Sequence, residues 1–161
     1  MEIVGYKCFN KDITNRYQNK LEVGKIYTAN GKVSYGNDGH GYHFCKNLED
    51  TLRYFNAMDD DVSICLVKGT GNIIVYEDDY NGYYDMYSSE HIEILKELSR
   101  DEIILYGLNL NELRVCRFIQ GIKLSDDEIE LFKEKFNKNG NIQKFIEYYQ
   151  FKEIDAFKIK K

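Results

Sequence analysis

The stretch GNDGHGYHFCKNLEDTLRYF, residues 36–55, predicts a glycine-rich loop, a short aromatic strand and an amphipathic helix that begins near Asn47. Three glycines within six residues, Gly36, Gly39 and Gly41, give the loop backbone the freedom to approach another group closely. Two of the three histidines of the chain lie in the same stretch. It is therefore the first place to look for a ligand pocket.

The composition indicates one globular protein with a sizeable core. The chain has 161 residues, of which 43% are hydrophobic, which is enough for one core and short for two domains. We expect neither a membrane span nor a signal peptide. Four cysteines in apolar segments at unrelated spacings predict buried thiols and a cytoplasmic location. They are Cys8, Cys45, Cys65 and Cys116.

The net charge of −5 is unevenly distributed along the chain. Residues 1–98 have a net charge of −6 and residues 99–161 a net charge of +1. The acidic half contains the runs Asp59–Asp61 and Glu77–Asp79, so no electrostatic footprint for nucleic acid is expected there. In the other half, basic and acidic residues mix at helical spacing, which is typical of a solvated helix face. We therefore do not expect a nucleic-acid partner.

Short strand-like runs alternate with turns as far as Leu98. Asn30-Gly31 is a strong hairpin signal, and Lys68–Gly71 predicts a second turn between two apolar runs. The predicted strands are 3–9, 25–29, 32–35, 62–67, 72–76 and 90–98.

Helical patterns follow from Ser99 onward. Ser99–Glu102 and Ser125–Glu128 both match the capping box, in which the Ser and Glu side chains satisfy backbone donors reciprocally. The second capping box precedes an apolar stripe that ends near Asn139-Gly140, and a further helix follows. The stripe of the first of these helices is Ile129, Leu131, Phe132 and Phe136, and that of the second is Ile142, Phe145, Ile146 and Tyr149. These patterns predict an α+β fold, with a small mixed or antiparallel β-sheet domain over residues 1–98 and a helical extension packed on it over residues 99–161.

Two segments have partial metal-binding patterns. His40, His43 and Cys45 could supply three ligands, but no second cluster of Cys and His completes a zinc site. Glu77–Gly82 matches the first half of a calcium loop, but Ser88 occupies the twelfth position, where a bidentate Glu is required. We favour packing residues in the first case and a solvated acidic turn in the second, and predict no metal.

A nucleophilic pair is the next alternative. Cys45 lies two residues from His43 on the same predicted strand face, and Cys8 could lie on a neighbouring strand. No orienting carboxylate is evident from the sequence, and buried cysteines commonly serve as small hydrophobic residues. The packing interpretation is preferred.

Tyrosines crowd one acidic segment, residues 76–87. Tyrosine offers a large contact area with a polar tip at little cost in rotamer entropy, so such a segment is a good binding surface. The alternative is that the rings cover a thin core. The predicted partner-binding residues are Tyr80, Tyr83, Tyr84 and Tyr87.

Three blocks of the chain resemble a family of uncharacterised bacterial and phage proteins with a G-[FY]-H-x-C core. The blocks are Gly5–Asp12, Val23–Tyr27 and Gly41–Asp50, and the core is read here as Gly41-Tyr42-His43-Phe44-Cys45. The resemblance covers about residues 3–80. Some members of that family carry pentapeptide repeats afterwards, and the resemblance implies no particular activity.

The order of elements also resembles the small ADP-ribosyltransferases of the rifamycin-modifying type. In that family, a strand with a histidine is followed by an aromatic strand and a helix, and then by a strand that ends in an acidic pair. Cys8 stands in place of the histidine. The resemblance implies NAD as cofactor, bound by Tyr6, Cys8, Tyr42 and His43, with Glu77 or Asp78 as the catalytic acid that stabilises the transition state.

We therefore expect a small cytoplasmic protein of bacterial or phage origin that needs no cofactor and acts by protein–protein contact. Its scaffold would be a degenerate ADP-ribosyltransferase-like one. The acidic tyrosine-rich surface suits a basic partner, so an inhibitor of a bacterial defence enzyme, such as an anti-CRISPR protein, or of a nucleic-acid-handling enzyme fits this expectation. The alternative is an NAD-dependent ADP-ribosyltransferase. Neither hypothesis involves a membrane.

Overall fold

The computed structural model describes residues 1–34, 40–54, 62–77 and 85–159, with the backbone alone described at 54, 77, 85 and 151–159. The described residues divide into two compact units: a strand unit that extends to Leu98, and a helical unit that begins at Ser99. The α+β fold class is confirmed. That the helical residues pack on the strand-rich domain stays a prediction. No described helix combines the length and the apolar character needed to cross a membrane.

The strand unit is a five-stranded sheet in which all pairings between strands are antiparallel. The first strand pairs with the fourth, the fourth with the fifth, the fifth with the third, and the third with the first. These four strands therefore form a closed ring of pairings, and the second strand pairs with the fifth beside the ring. The strands are β1 (Glu2–Asn10), β2 (Ile26–Thr28), β3 (Tyr42–Cys45), β4 (Val62–Glu77) and β5 (Asp85–Glu97).

Neither predicted hairpin forms, and both predictions were wrong. Gly31 has a positive φ of 87°, as a turn requires, but β2 pairs with β5, and residues 32–34 join the sheet only through a bridge from Val33 to His40. β4 runs through the second predicted turn without interruption, and its register against β5 shifts between Thr70 and Ile73. Gly71, with a φ of 78°, lies within this irregularity. Gly71, one of the two glycines that suggested a turn, therefore serves a bulge.

Phe44 anchors the core of the strand unit. It is buried and packs against Tyr87, with ring centroids 5.1 Å apart. A Cβ added to Gly69 would lie 2.6 Å from the Phe44 ring, and a Cβ added to Gly5 would clash with the Cys45 carbonyl oxygen. The aromatic ring and the two strand glycines therefore fit each other. The other buried members of the cluster are Phe9, Ile13, Leu21, Cys65, Val67, Ile92 and Ile94.

One short helix follows β3, as predicted. It is α1 (Leu48–Thr51), whose first residue follows Asn47, and a single turn of 3-10 helix, Leu52–Tyr54, extends it. Asn47 makes no side-chain cap, but its Nδ2 donates to Oδ2 of Asp50 at 3.1 Å. The helix packs on β1 and β3.

The helical unit begins with the capping boxes that the sequence predicts. Ser99 and Ser125 each accept a hydrogen bond from the backbone N–H three residues on, and the carboxylate of the Glu at that position accepts one from the serine N–H. Both predictions are confirmed. The helices of this unit are α2 (Arg100–Leu108), α3 (Glu112–Gly121), α4 (Asp126–Lys135) and α5 (Gly140–Ile159).

Side-chain contacts join the helices of this unit. Arg100 on α2 donates to both carboxylate oxygens of Glu128 on α4, at 2.8 and 2.7 Å. Phe118 and Phe132 stack with ring centroids 5.7 Å apart. Gln150 on α5 donates to the carbonyl oxygens of Ile119 and Ile122, and its own amide oxygen accepts from the N–H of Leu124.

Candidate functional site

The two β3 residues that the NAD hypothesis invokes point to opposite faces of the strand, because successive strand side chains alternate. Tyr42 is half-buried and packs with Phe44 against the core cluster, and burial together with the neighbouring Tyr27 raises its pKa. His43 is also half-buried, and its pKa is lowered by burial and by the charges of Lys7 and Arg16. A single ligand cannot contact both side chains on one face of β3.

Tyr6 and Cys8 lie on the face of β1 that α1 covers. The backbone N–H of Cys8 donates to the Thr51 hydroxyl at 3.0 Å, and the Cys8 side chain is 1% exposed. The pKa of Tyr6 is raised by burial and by the nearby Glu49. Cys8 is therefore a packing residue, and the NAD-binding candidates do not converge on one exposed surface.

The thiols of the strand unit are poor nucleophiles. Cys8, Cys45 and Cys65 are all buried and free, and burial raises the pKa of each to about 12. In the helical unit, burial also raises the pKa of Cys116. Because only the thiolate attacks, these side chains are protonated and inert near neutral pH. This geometry favours the packing interpretation over a Cys–His pair.

Of the loop glycines, Gly41 is the one within the described residues, and Gly36 and Gly39 lie outside them. A Cβ added to Gly41, whose φ is 118°, would clash with the Ser88 hydroxyl. The Ser88 hydroxyl donates to the carbonyl oxygen of His40 at 3.3 Å. Gly41 therefore lets the start of β3 approach β5 closely. Among the described residues, no group of three or more His, Cys, Asp or Glu is placed to hold a metal ion.

Sequence reasoning missed three ionisable residues close to these candidates. Glu49 and Asp50 on α1 are each 1% exposed, although acidic residues at a helix start normally face water. Lys7 on β1 is half-buried, and its ammonium group donates to the backbone carbonyl of His43. The alternation of side chains along β1 could have indicated that Lys7 is partly buried, because Lys7 shares a strand face with Gly5 and Phe9.

The tyrosine-rich segment divides between the core and the part of the chain that is not described. Tyr87 is 7% exposed and contacts Phe44, so the structure assigns it to the core and not to a binding surface. Glu77 is the last residue of β4, and its side chain is not described. The remaining predicted residues, Asp78, Tyr80, Tyr83 and Tyr84, lie outside the described residues.

The end of β4 carries exposed residues that the sequence analysis did not assign to a surface. Val75 and Tyr76 are each 45% exposed. They are adjacent, so they point to opposite faces of the strand, and both faces are open to solvent here. Within the described ranges, β4 beyond Thr70 pairs with β5 alone. This exposed end of β4 leads directly into the tyrosine-rich residues.

Comparisons with known proteins give one result. No curated protein and no solved structure matches the chain. The family described as a domain of unknown function (DUF7666) matches residues 3–106, from β1 into α2. This match covers well over half of the sequence, and the chain therefore belongs to that family.

Proposed function

We propose that the chain is a binding protein that acts by protein–protein contact, through the end of β4 and the tyrosine-rich segment after it. The observation that carries the proposal is the exposure of Val75 and Tyr76 on both faces of a strand with one described neighbour. Exposed tyrosine is enriched at protein interfaces, where its ring supplies a large contact area with a polar tip.

The charge of this segment defines the partner. In the sequence, the acidic run Glu77–Asp79 follows directly after the exposed residues Val75 and Tyr76, in a protein with a net charge of −5. A complementary positive surface on the partner would steer association and exclude other proteins. We propose a basic protein as the partner, of the kind that handles nucleic acid, and inhibition of a bacterial defence enzyme as the resulting activity. The four free thiols support the proposal of a cytoplasmic location.

Capture from a bacterial lysate, followed by affinity measurement with the captured protein, tests the proposal. Tyr76→Ala and the double variant Tyr83→Ala/Tyr84→Ala should each weaken binding by about tenfold or more, because interface tyrosines act as anchors. Tyr148→Ala is the matched control, since Tyr148 is 56% exposed and lies on α5. Affinity that is the same for all variants would contradict the proposed surface.

A second candidate is an NAD-dependent ADP-ribosyltransferase on an ADP-ribosyltransferase-like scaffold. The order of elements supports it, because β1 carries Tyr6 and Cys8, β3 carries Tyr42 and His43 and leads into α1, and β4 ends at Glu77. Since Tyr42 and His43 lie on opposite faces of β3, only one of them would hold the nicotinamide.

Titration calorimetry with NAD tests this candidate. A dissociation constant in the micromolar range, or about −8 kcal/mol, that is weakened by either Tyr42→Ala or His43→Ala would support it. Glu77→Gln should then abolish transfer and leave NAD binding nearly unchanged. No heat of binding up to millimolar NAD would contradict the enzyme hypothesis.

A further inference from the structure

A threonine and a histidine face each other across two neighbouring strands of the strand unit. Thr28 on β2 is paired in register with His91 on β5. The hydroxyl oxygen of Thr28, Oγ1, is hydrogen-bonded to Nδ1 of the His91 ring, at 3.0 Å. Thr28 is exposed, and the His91 side chain is 33% exposed. A solvent-accessible hydroxyl group therefore lies within proton-transfer distance of an imidazole nitrogen.

The second ring nitrogen of His91 faces a carboxylate. Nε2 lies 4.0 Å from Oε2 of Glu90, which is longer than a hydrogen bond but close enough to stabilise a positive charge on the ring. Oε2 of Glu90 also accepts a hydrogen bond from the backbone N–H of Asn72, at 3.0 Å, so the carboxylate is held in place. A carboxylate on this side favours the ring proton on Nε2, and the lone pair of Nδ1 is then left for the Thr28 proton.

The bulge in β4 makes room for this arrangement. Glu90 and His91 are neighbours on β5, so their side chains leave the strand on opposite faces. Both nevertheless reach Gly71, where an added Cβ would lie 2.7 Å from Oε2 of Glu90 and 2.8 Å from Cδ2 of His91. Gly71 has a φ of 78° and precedes Asn72, whose N–H holds the carboxylate. The bulge thus supplies both the space and the hydrogen-bond donor.

We propose that Thr28, His91 and Glu90 form a catalytic site for acyl transfer, with small carboxylic esters as substrates. A hydroxyl nucleophile bonded to a base, with the base oriented by a third group, is the arrangement that such chemistry requires. Thr28 is the nucleophile, His91 is the general base, and Glu90 is a positioning residue that orients the ring and stabilises its charge. This activity uses none of the residues of the protein contact proposed above, so the two proposals stand or fall independently.

The reaction has two steps. In the first, the Thr28 hydroxyl adds to the carbonyl carbon of the ester and gives its proton to Nδ1 of His91. The bond from that carbon to the alcohol oxygen then breaks, the alcohol leaves with the proton, and the acyl group remains as an ester on Thr28. In the second step, water gives a proton to the same nitrogen and hydrolyses the acyl-threonine, which releases the carboxylic acid and restores the hydroxyl group.

Incubation of the full chain with p-nitrophenyl acetate tests the proposal. Absorbance follows the release of p-nitrophenol, and mass spectrometry of the acid-quenched protein should locate an acetyl group on Thr28. Thr28→Val and His91→Gln should each lower the rate by about tenfold or more, because a positioned general base contributes about 10²–10⁴-fold. Thr28→Ser keeps a hydroxyl group and should retain the activity. His40→Gln, which replaces an exposed histidine, is the matched control and should react at the wild-type rate.

The second readout is the protonation of the His91 ring. Its nitrogen chemical shifts show which nitrogen carries the proton, and in the wild type this should be Nε2. Glu90→Gln should both lower the rate and reduce the fraction of rings with the proton on Nε2, whereas a carboxylate with only a structural role would leave both unchanged. A wild-type proton on Nδ1, acetylation confined to lysines, or equal rates for wild type and Thr28→Val would overturn the proposal.

Discussion

The strand unit and the helical unit bury different kinds of side chain. In the described part of the chain, all the buried polar side chains belong to the strand unit, whereas the buried residues of the helical unit are apolar. Burying a polar group costs free energy that hydrogen bonds have to offset, so an apolar core is the simpler way to stability. The comparison teaches that the strand unit is where features beyond stability should be sought. The buried polar residues are Glu49, Asp50, Thr51, Ser63, Ser88 and Ser89.

The largest expected effect tests whether each unit depends on its own core. Phe44→Ala should lower the free energy of unfolding of the strand unit by about 3–5 kcal/mol, because the fully packed ring leaves a cavity. Phe132→Ala is the matched variant in the helical unit, where that ring stacks on Phe118. Hydrogen exchange should show protection lost within the substituted unit. Equal loss in both units with either variant would contradict the division.

The two units should also differ in how their stability depends on pH, and this effect is smaller. The folded pKa of Lys7, about 8, lies below its ordinary value of 10.5, so between these pH values the unfolded chain binds more protons. The contribution of Lys7 to stability should therefore rise with pH above 8, by on the order of 2 kcal/mol by about pH 9.5. The three buried thiols, whose pKa values are raised to about 12, oppose this rise above about pH 8.5, so the contribution of Lys7 is measured as the difference between wild type and Lys7→Met. In the helical unit, the hydrogen bonds from Arg100 lower the pKa of Glu128, and that stabilisation is lost only as the pH falls below about 4.5.

Urea denaturation between pH 7.5 and about 9.5 checks this difference. The stability of Lys7→Met relative to wild type should fall over this pH range, and that of Lys20→Gln, a change at an exposed lysine, relative to wild type should stay constant. The upper limit is needed because the pKa values of Tyr6 and Tyr42 are raised in the folded state. Their ionisation in the unfolded chain lowers stability above about pH 10. Identical slopes for wild type and Lys7→Met would show that the Lys7 amine is not desolvated.

The smallest effect concerns the helix caps. Ser125→Ala removes the acceptor for the Glu128 N–H, at 3.2 Å, and should cost about 1 kcal/mol. Ser125→Asn should recover most of that loss, because asparagine is an equally good cap. Thermal unfolding, with hydrogen exchange to locate the effect in α4, measures both. A loss as large as that of Phe132→Ala would mean that Ser125 has a role beyond capping.

Local features of the fold could be predicted from the sequence, and pairings distant in the chain could not. The capping boxes at Ser99 and Ser125 depend on residues three positions apart, so the sequence contains all the necessary information. Asn30-Gly31 is an equally local signal, but β2 pairs with β5, more than 60 residues later. Tertiary packing decides which strands pair, and it overrides a local preference for a turn.

The candidate site was harder to predict for the same reason. Tyrosine is a residue type that is common at binding surfaces, but the contact of Tyr87 with Phe44 on another strand makes it a core residue. The burial of Asp50 and the partial burial of Lys7 are likewise properties of the assembled sheet. The exposure of Tyr76 depends on where β1 stops pairing with β4, which no local pattern encodes.

The closed ring of strands has a consequence for how the chain folds during its synthesis. β1 pairs with β4, whose partner residues lie about 50 to 70 positions later, and the ring closes only when β5 is available. Contacts between residues distant in the chain form slowly, because the chain loses conformational entropy on closing the loop before it gains free energy from strand pairing. β1 therefore cannot complete its pairing with β4 until residues about 50 to 70 positions later have left the ribosome, and through that interval its apolar face is a target for chaperones.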